Sequence, residues 1–456
     1  MGGRSCFGWC VAGCGEGTVY VIRGARRINS WRGWKLPSGD MDVSRRARSL
    51  KPSSTLAVNA KARALKAQGV DVLSFAAGEP DFDTPEPIKQ ALIDALRRGE
   101  TKYAPVPGDA ATRKVIADKL SRECGIPNVT GEHVVISSGG KQSLYLLFQA
   151  LLDTPGPGEA AQEVVLPVPA WVSYAPQIEL AGGKVVEVRT TAQSDFKASV
   201  EQLRAAITPR TRALVINSPS NPCATMYTPD ELRAIGRMVA QAAASVAPDI
   251  VVVSDELYDK IVFGGIAHFS IGSMPEIAER TVTVNGLSKS YAMTGWRLGY
   301  ASGSGAFGLK IAQAMQNMQS QSTTSVATFE LPAIRTALTE CGADVERMRE
   351  AFARRAEICY GLVSKIPGLV CPKPTGAFYV FPDVSAHFGK TSRGGKLLRG
   401  AADFAEALLA EHHVACVPGE DFGSGGERCC RFTFACGDEQ IREGMKRLGE
   451  FVAGLR

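Results

Sequence analysis

Lys289 and Arg297 lie eight residues apart in LSKSYAMTGWRLGY (287–300), a largely apolar segment with no acid of its own. A buried cation is expensive unless something pairs with it or its pKa falls. Two long side chains could bury their stems and carry both charges to water. The alternative is that they hold something anionic and electrophilic that is not part of the chain. Asp255 closes the apolar run IVVVSD, and Tyr258 follows three residues later in SDELY. Asp255 could cap a helix formed by ELYDKI, or its carboxylate could partner a protonated ring nitrogen. Tyr258 would project from the same side and could hydrogen-bond a phenolic oxygen. Asn221 sits in the turn-rich NSPSNPCAT (217–225), where a side-chain turn is the plainer reading. Trp171, in PVPAWVSYAP, could stack on a flat heteroaromatic ring or fill a core. Gly139-Gly140-Lys141 follow HVVISS and open a helix-like stretch. Glycines there let backbone N–H groups converge at a positive helix end, which suits a phosphate. Arg297 adds a planar fork able to grip that phosphate.

Each feature has an ordinary explanation alone, but together they describe one molecule. A phosphate cradle, a carboxylate for a pyridinium, a phenol and an amide for a ring oxygen, a stacking aromatic and a lysine amine are what pyridoxal 5′-phosphate (PLP) requires. A lysine at its ordinary pKa of about 10.4 is a poor base at neutral pH. Held beside this cofactor, it could move a proton between the substrate's Cα and C4′ of the ring.

The elements that must position these residues are legible as two alternating periods. Short valine-rich runs at 134–136, 164–167, 213–217, 250–255 and 282–286 read as strands buried on both faces. Helix-like stretches such as QSLYLLFQALL (142–152) and PDELRAIGRMVAQAAAS (229–245) separate them. The pattern predicts an α/β fold with a mostly parallel sheet, in which ligands sit beyond the carboxyl ends of the strands. Gly140, Trp171, Asn221, Asp255 and Lys289 each follow such a run. After the sheet, ADVERMREAFARRAEICYGLV (343–363) predicts a long helix, and GAFYVF and RFTFAC predict strands of a second, smaller α/β domain. The expected division is 1–42 as a transit-type segment, 43–89 as an N-terminal arm with part of the small domain, 90–330 as the large domain and 331–456 as the small one.

Bulk composition narrows the function classes. The net charge of +6 is concentrated at the start, where residues 1–40 carry +4, so the remainder is too nearly neutral to suggest a nucleic-acid partner. No run of 18 apolar residues is present, which argues against a helical membrane span. The twelve cysteines include no CxxC and the five histidines have no ligand spacing, so no metal site is expected. The acid-poor, arginine-bearing N-terminal segment reads as a targeting peptide for a plastid, with mitochondrial or cytoplasmic location as the alternatives.

From about Leu50 to its C-terminus the chain resembles the class I aminotransferases of PLP fold type I. It is most similar to the bacterial-type (1β) aspartate aminotransferases, a subgroup that includes plastid aspartate/prephenate enzymes. The resemblance rests on AAGEPDFDTP, TKYAP, GGKQ, WVSY, SDELY, MTGWRLGY, GAFY and VPG. It implies that Lys289 is the Schiff-base lysine, Asp255 the pyridinium partner, Tyr258 and Asn221 the ring-hydroxyl residues and Trp171 the stacking aromatic, which also borders the substrate. Gly140, Lys141, Ser288 and Arg297 fall at phosphate-site positions. Tyr103 matches a tyrosine reaching the phosphate from a second subunit, which implies a homodimer with shared active sites. Arg431 resembles the arginine that clamps the substrate α-carboxylate, with Gly78 and Asn221 nearby. Lys141 and Thr55 are similar to residues that contact a distal carboxylate.

The activity implied is ping-pong amino transfer between a dicarboxylic amino acid, aspartate or glutamate, and a 2-oxo acid, with prephenate as a further acceptor. The rivals are an aromatic or kynurenine-type aminotransferase or a β-lyase on the same fold, and an aminotransferase-like regulator. The regulator would need a helix-turn-helix module, for which the first 45 residues are too short and glycine-rich. Three departures from the family pattern stand out: NPCAT with Cys223 and Ala224, Leu287 in GLSK, and Thr112 in DAATR.

Overall fold

The valine-rich runs become the strands of one sheet. The computed structural model describes residues 42–50 and 54–456. A first short strand, β1 (Leu73–Ser74), pairs far along the chain. The next seven, β2 (Val134–Ser137), β3 (Glu163–Val168), β4 (Lys184–Arg189), β5 (Thr211–Asn217), β6 (Val251–Asp255), β7 (Thr281–Gly286) and β8 (Gly299–Ser302), form a single sheet in the order β2-β8-β7-β6-β5-β3-β4. Every neighbouring pair is parallel except the two that involve β8. Strands β2, β6, β7 and β8 are buried at every residue, which is why their text shows no apolar/polar alternation. Helices Gly140–Leu151 and Pro229–Ala243 each follow a strand and pack on the sheet.

Register places the chemistry. Asn217 pairs with Asp255 and Asp255 with Val284, so β5, β6 and β7 end abreast. Strand β8 runs the other way, with Gly299 opposite both Ser137 and Gly286. Its beginning therefore lies at the carboxyl ends of β2 and β7, and Arg297, two residues upstream, is delivered beside the Gly139-Gly140 turn. That approach demands glycine. A Cβ on Gly299 would stand 2.2 Å from the Gly140 backbone nitrogen.

The C-terminal region carries a second, antiparallel sheet of three strands, β11 (Val417–Pro418), β12 (Cys430–Thr433) and β9 (Tyr379–Val380) in that order. Arg431 lies on the buried strand β12, facing Val417 in register. Strand β1 pairs in parallel with β10 (Val414–Ala415), so residues 73–74 join this region although they precede the large sheet. Helices Gly342–Val363, Ala401–His412 and Asp438–Ala453 supply its apolar cover, with Phe75, Phe352, Phe378, Phe404, Phe432 and Phe434 fully buried among them. Each such side chain contributes roughly 1.5–3 kcal/mol on burial.

The nine cysteines among the described residues are free thiols, eight of them buried, as expected of small apolar fillers. No group of three metal-ligating side chains is present among the described residues, and no helix there is long and apolar enough to cross a membrane. Cys6, Cys10, Cys14 and the basic segment expected to act in targeting lie outside the described residues.

Candidate active site

The glycine turn expected after β2 forms at Gly139-Gly140. Gly139 adopts φ +82° and caps helix Gly140–Leu151, whose first N–H groups are free to meet an anion. A Cβ on Gly139 would fall 2.4 Å from Nη2 of Arg297, so the missing side chain is what lets the guanidinium lie against this turn. Arg297 itself takes φ +58°, a conformation that costs a non-glycine residue about 1–2 kcal/mol. Its Nη1 donates to the Thr294 carbonyl at 2.8 Å, and the side chain faces solvent rather than the interior. Gln142 steadies the turn from within, its Oε1 accepting from Ser138 N at 2.6 Å. Ser288 is buried nearby in sequence to Lys289, and its carbonyl accepts from Met293 N.

Asp255 ends β6 with its carboxylate buried. Oδ2 accepts from the Tyr174 hydroxyl at 2.6 Å and Oδ1 from Leu257 N at 3.2 Å. No helix follows, so the capping alternative reduces to one turn bond. Burial raises the Asp255 carboxyl to about 6, although the Tyr174 hydroxyl and Leu257 N–H pull the other way. No cation among the described residues pairs with it. A buried carboxylate stabilised by hydrogen bonds but lacking a positive partner fits a ligand that brings an N–H cation of its own.

Tyr258 is also buried, its hydroxyl 2.9 Å from that of Tyr379. Burial and the neighbouring Tyr379 push its phenol upward, so it stays protonated and can donate. Lys289 is half-buried and donates to the Gly78 carbonyl at 2.5 Å. Burial lowers its amine to about 8, helped by the positive charge of Arg431 and, less, of Arg297. Tyr379 explains Gly78: a Cβ there would sit 2.5 Å from the Tyr379 hydroxyl oxygen.

Arg431, 3% exposed, donates from Nη1 to Asn221 Oδ1 at 2.9 Å and from Nη2 to the Ala76 carbonyl at 3.0 Å. Its Nε has no partner among the described residues. The guanidinium is stacked 4.7 Å from the Tyr379 ring centre and 5.3 Å from that of Phe422. A buried guanidinium with no carboxylate of its own is prepared for an incoming one. The turn reading of NSPSN holds for a different residue than expected. Asn217 Oδ1 accepts from Asn221 N at 2.9 Å, which leaves the Asn221 side chain free for Arg431.

Lys141 is exposed, with Nζ 5.1 Å from the centre of the Trp171 ring, and partial burial with the charge of Arg297 lowers its pKa. Trp171 meets Tyr174 edge-on at 5.4 Å. Tyr103 is apart from this set, its side chain 92% exposed. The Thr55 side chain lies outside the described residues.

Sequence reasoning missed Tyr174, Tyr379 and Asn217. The first two stand inside WVSY and GAFY, and what each does depends on partners more than 80 residues away. The three departures are accommodated. Ala224 takes φ +58°, a conformation more usual for glycine, and Cys223 is buried. Leu287 is fully buried. Thr112 bonds Asp109 and Arg335.

The family model described as aminotransferase class I and II matches residues 70–448. An aspartate aminotransferase of Bacillus subtilis is 42% identical over 416 residues, covering 90% of this chain and 99% of that protein. An aspartate/prephenate aminotransferase of Thermus thermophilus is 43% identical over 413 residues, covering 90% and 98%. Among solved structures, a Thermus thermophilus aspartate aminotransferase with maleate superposes with a TM-score of 0.80 at 42% identity, covering 90% of this chain and all of that one. The Rhizobium meliloti aspartate aminotransferase gives 0.84 at 35% identity, covering 91% and 100%.

Proposed function

The chain belongs to the class I and II aminotransferases, PLP-dependent enzymes of fold type I, and from that premise we propose that it acts on aspartate and glutamate and their 2-oxo acids, with prephenate as a further acceptor. One observation carries this reading. Two cationic anion readers flank the lysine site without acids of their own: Arg431, buried against Asn221, and Lys141, set over Trp171. Arg431 takes the α-carboxylate and Lys141 a second carboxylate away from the reacting carbon. A neutral amino acid leaves the Lys141 charge unanswered and is selected against.

When bound, PLP supplies an aldehyde that joins to amines and a protonated ring that accepts the electron pair released at the substrate's Cα. Asp255 would hold the ring nitrogen in its protonated form. Tyr258 and Asn221 would meet the ring oxygen, Trp171 would stack on the ring, and Gly140, Lys141, Ser288 and Arg297 would hold the phosphate. Lys289 holds and moves the proton at Cα. With a pKa of about 8, far more of the free amine is neutral at pH 7 than for an unshifted lysine. Gly78 and the Ala76 carbonyl fix the loop that faces the α-carboxylate.

The exposed Tyr103 supports a homodimer in which it reaches the partner's phosphate site. Thr55 would join Lys141 at the distal carboxylate. The same reading divides the chain into an arm with part of the small domain at 43–89, a large domain at 90–330 and the rest of the small domain at 331–456, with residues 1–42 directing import into a plastid. Acceptor competition tests the substrate assignment. Oxaloacetate, 2-oxoglutarate and prephenate, offered with pyruvate and phenylpyruvate to enzyme that has already taken up the amino group, should be consumed ahead of the neutral-side-chain acids. Preference for pyruvate or phenylpyruvate would refute the role of Lys141.

A further inference from the structure

Two buried acids bracket Tyr258, and the side-chain hydrogen bonds of both go to residues outside the site. Glu256 accepts from Ser254 Oγ at 2.8 Å and Ser270 Oγ at 2.7 Å. Asp259 accepts from Lys119 Nζ at 2.6 Å, in an ion pair whose side chains are only 4% and 5% exposed. Lys119 comes from helix Ala110–Arg122, well separated in sequence, while Asp259 belongs to the turn DELYDK that also presents Asp255 and Tyr258. Backbone bonds from Asp259 N to the Glu256 carbonyl and from Ile261 N to the Tyr258 carbonyl make this turn one stiff unit. Tyr300 and Cys124, the other titratable groups acting on Lys119, are kept neutral by burial.

A buried ion pair is a poor device for stability, since apolar residues of similar volume often serve as well. It is directional, however, and a displacement of Asp259 would break it. We propose that Lys119 and Asp259 are positioning residues, whose ion pair fixes the DELYDK turn so that the neighbouring Tyr258 hydroxyl is held for the ring oxygen of the cofactor. The proposal rests on the assignment of Tyr258 to that oxygen. Edge-on packing against Phe378 and the 2.9 Å contact with the Tyr379 hydroxyl restrain the ring from the side, and the ion pair restrains the turn that carries it.

The test uses purified holoenzyme carrying Lys119→Met with Asp259→Leu, alone and combined with Tyr258→Phe. The PLP dissociation constant and the pH at which bound-cofactor absorbance titrates are read alongside the melting temperature. The double substitution should raise the dissociation constant roughly tenfold and move the absorbance titration, with a much smaller further effect in the Tyr258→Phe background. An undiminished effect in that background, or no effect in folded protein, would overturn the proposal. If the double variant does not fold, Lys119→Met alone, where Asp259 can take up a proton, carries the same comparison. If Tyr258→Phe by itself moves neither readout, the assignment of Tyr258 fails, and the proposal with it.

Discussion

Asp255→Asn separates what the fold needs from what the cofactor needs. Burial holds the Asp255 carboxyl at about 6, against 3.8 for a free aspartate. That gap corresponds to about 3 kcal/mol by which ionisation of this group disfavours the cofactor-free fold. Because the folded state binds the proton more tightly than the unfolded chain, the penalty is absent below pH 3.8. It grows as pH rises and is fully present above about pH 6, with about half in place at pH 5. Asparagine can accept from only one of the Tyr174 hydroxyl and the Leu257 N–H and sets its own N–H against the other, a cost of about 1–3 kcal/mol that does not vary with pH. Urea unfolding of cofactor-free parent and variant should therefore show the variant gaining about 1.4 kcal/mol relative to the parent between pH 5 and pH 7.5. Its PLP dissociation constant should move the opposite way, weakening by roughly 10- to 150-fold with loss of a charged hydrogen bond worth about 1.5–3 kcal/mol. Parallel pH–stability curves for the two proteins would refute the argument that this carboxylate is buried without a cationic partner.

Lys289→Ala should lower kcat by at least roughly 10²- to 10⁴-fold through loss of the proton carrier, as measured by coupled assay. In the parent, the rate at which cofactor-free protein combines with PLP should rise with pH through about 8, because the neutral amine is the reacting form. Arg431→Lys should raise KM for amino and 2-oxo acids alike, by roughly 10-fold or more, since an ammonium cannot reproduce the planar pair of donors. Steady-state kinetics with both substrate classes would show it. Tyr174→Phe removes the 2.6 Å donor to Asp255 and should push that carboxyl further above 6, weakening PLP binding without changing selectivity among 2-oxo acids. Equilibrium cofactor titration and an acceptor series measure the two effects separately.

The sequence alone determined five strands of the large sheet and the glycine turn after β2, and it singled out the side chains proposed to carry the chemistry. Runs of valine buried on both faces, and residue types that only a cofactor could reconcile, are local signals and survive in one dimension. It also determined that LSKSYAMTGWRLGY contains no acid for its lysine and arginine. The partners were decided only in three dimensions. Tyr174 reaches Asp255 across 81 residues and Arg431 reaches Asn221 across 210. Nothing in the spacing of either pair marks it, because hydrogen bonds follow the packing of elements rather than chain distance. The reversed strand β8 is the clearest case. Its text, GYAS, has none of the valine that marks its neighbours, yet its reversed direction brings Arg297 to the Gly139 turn, and its close approach to Gly140 is possible only because Gly299 has no side chain.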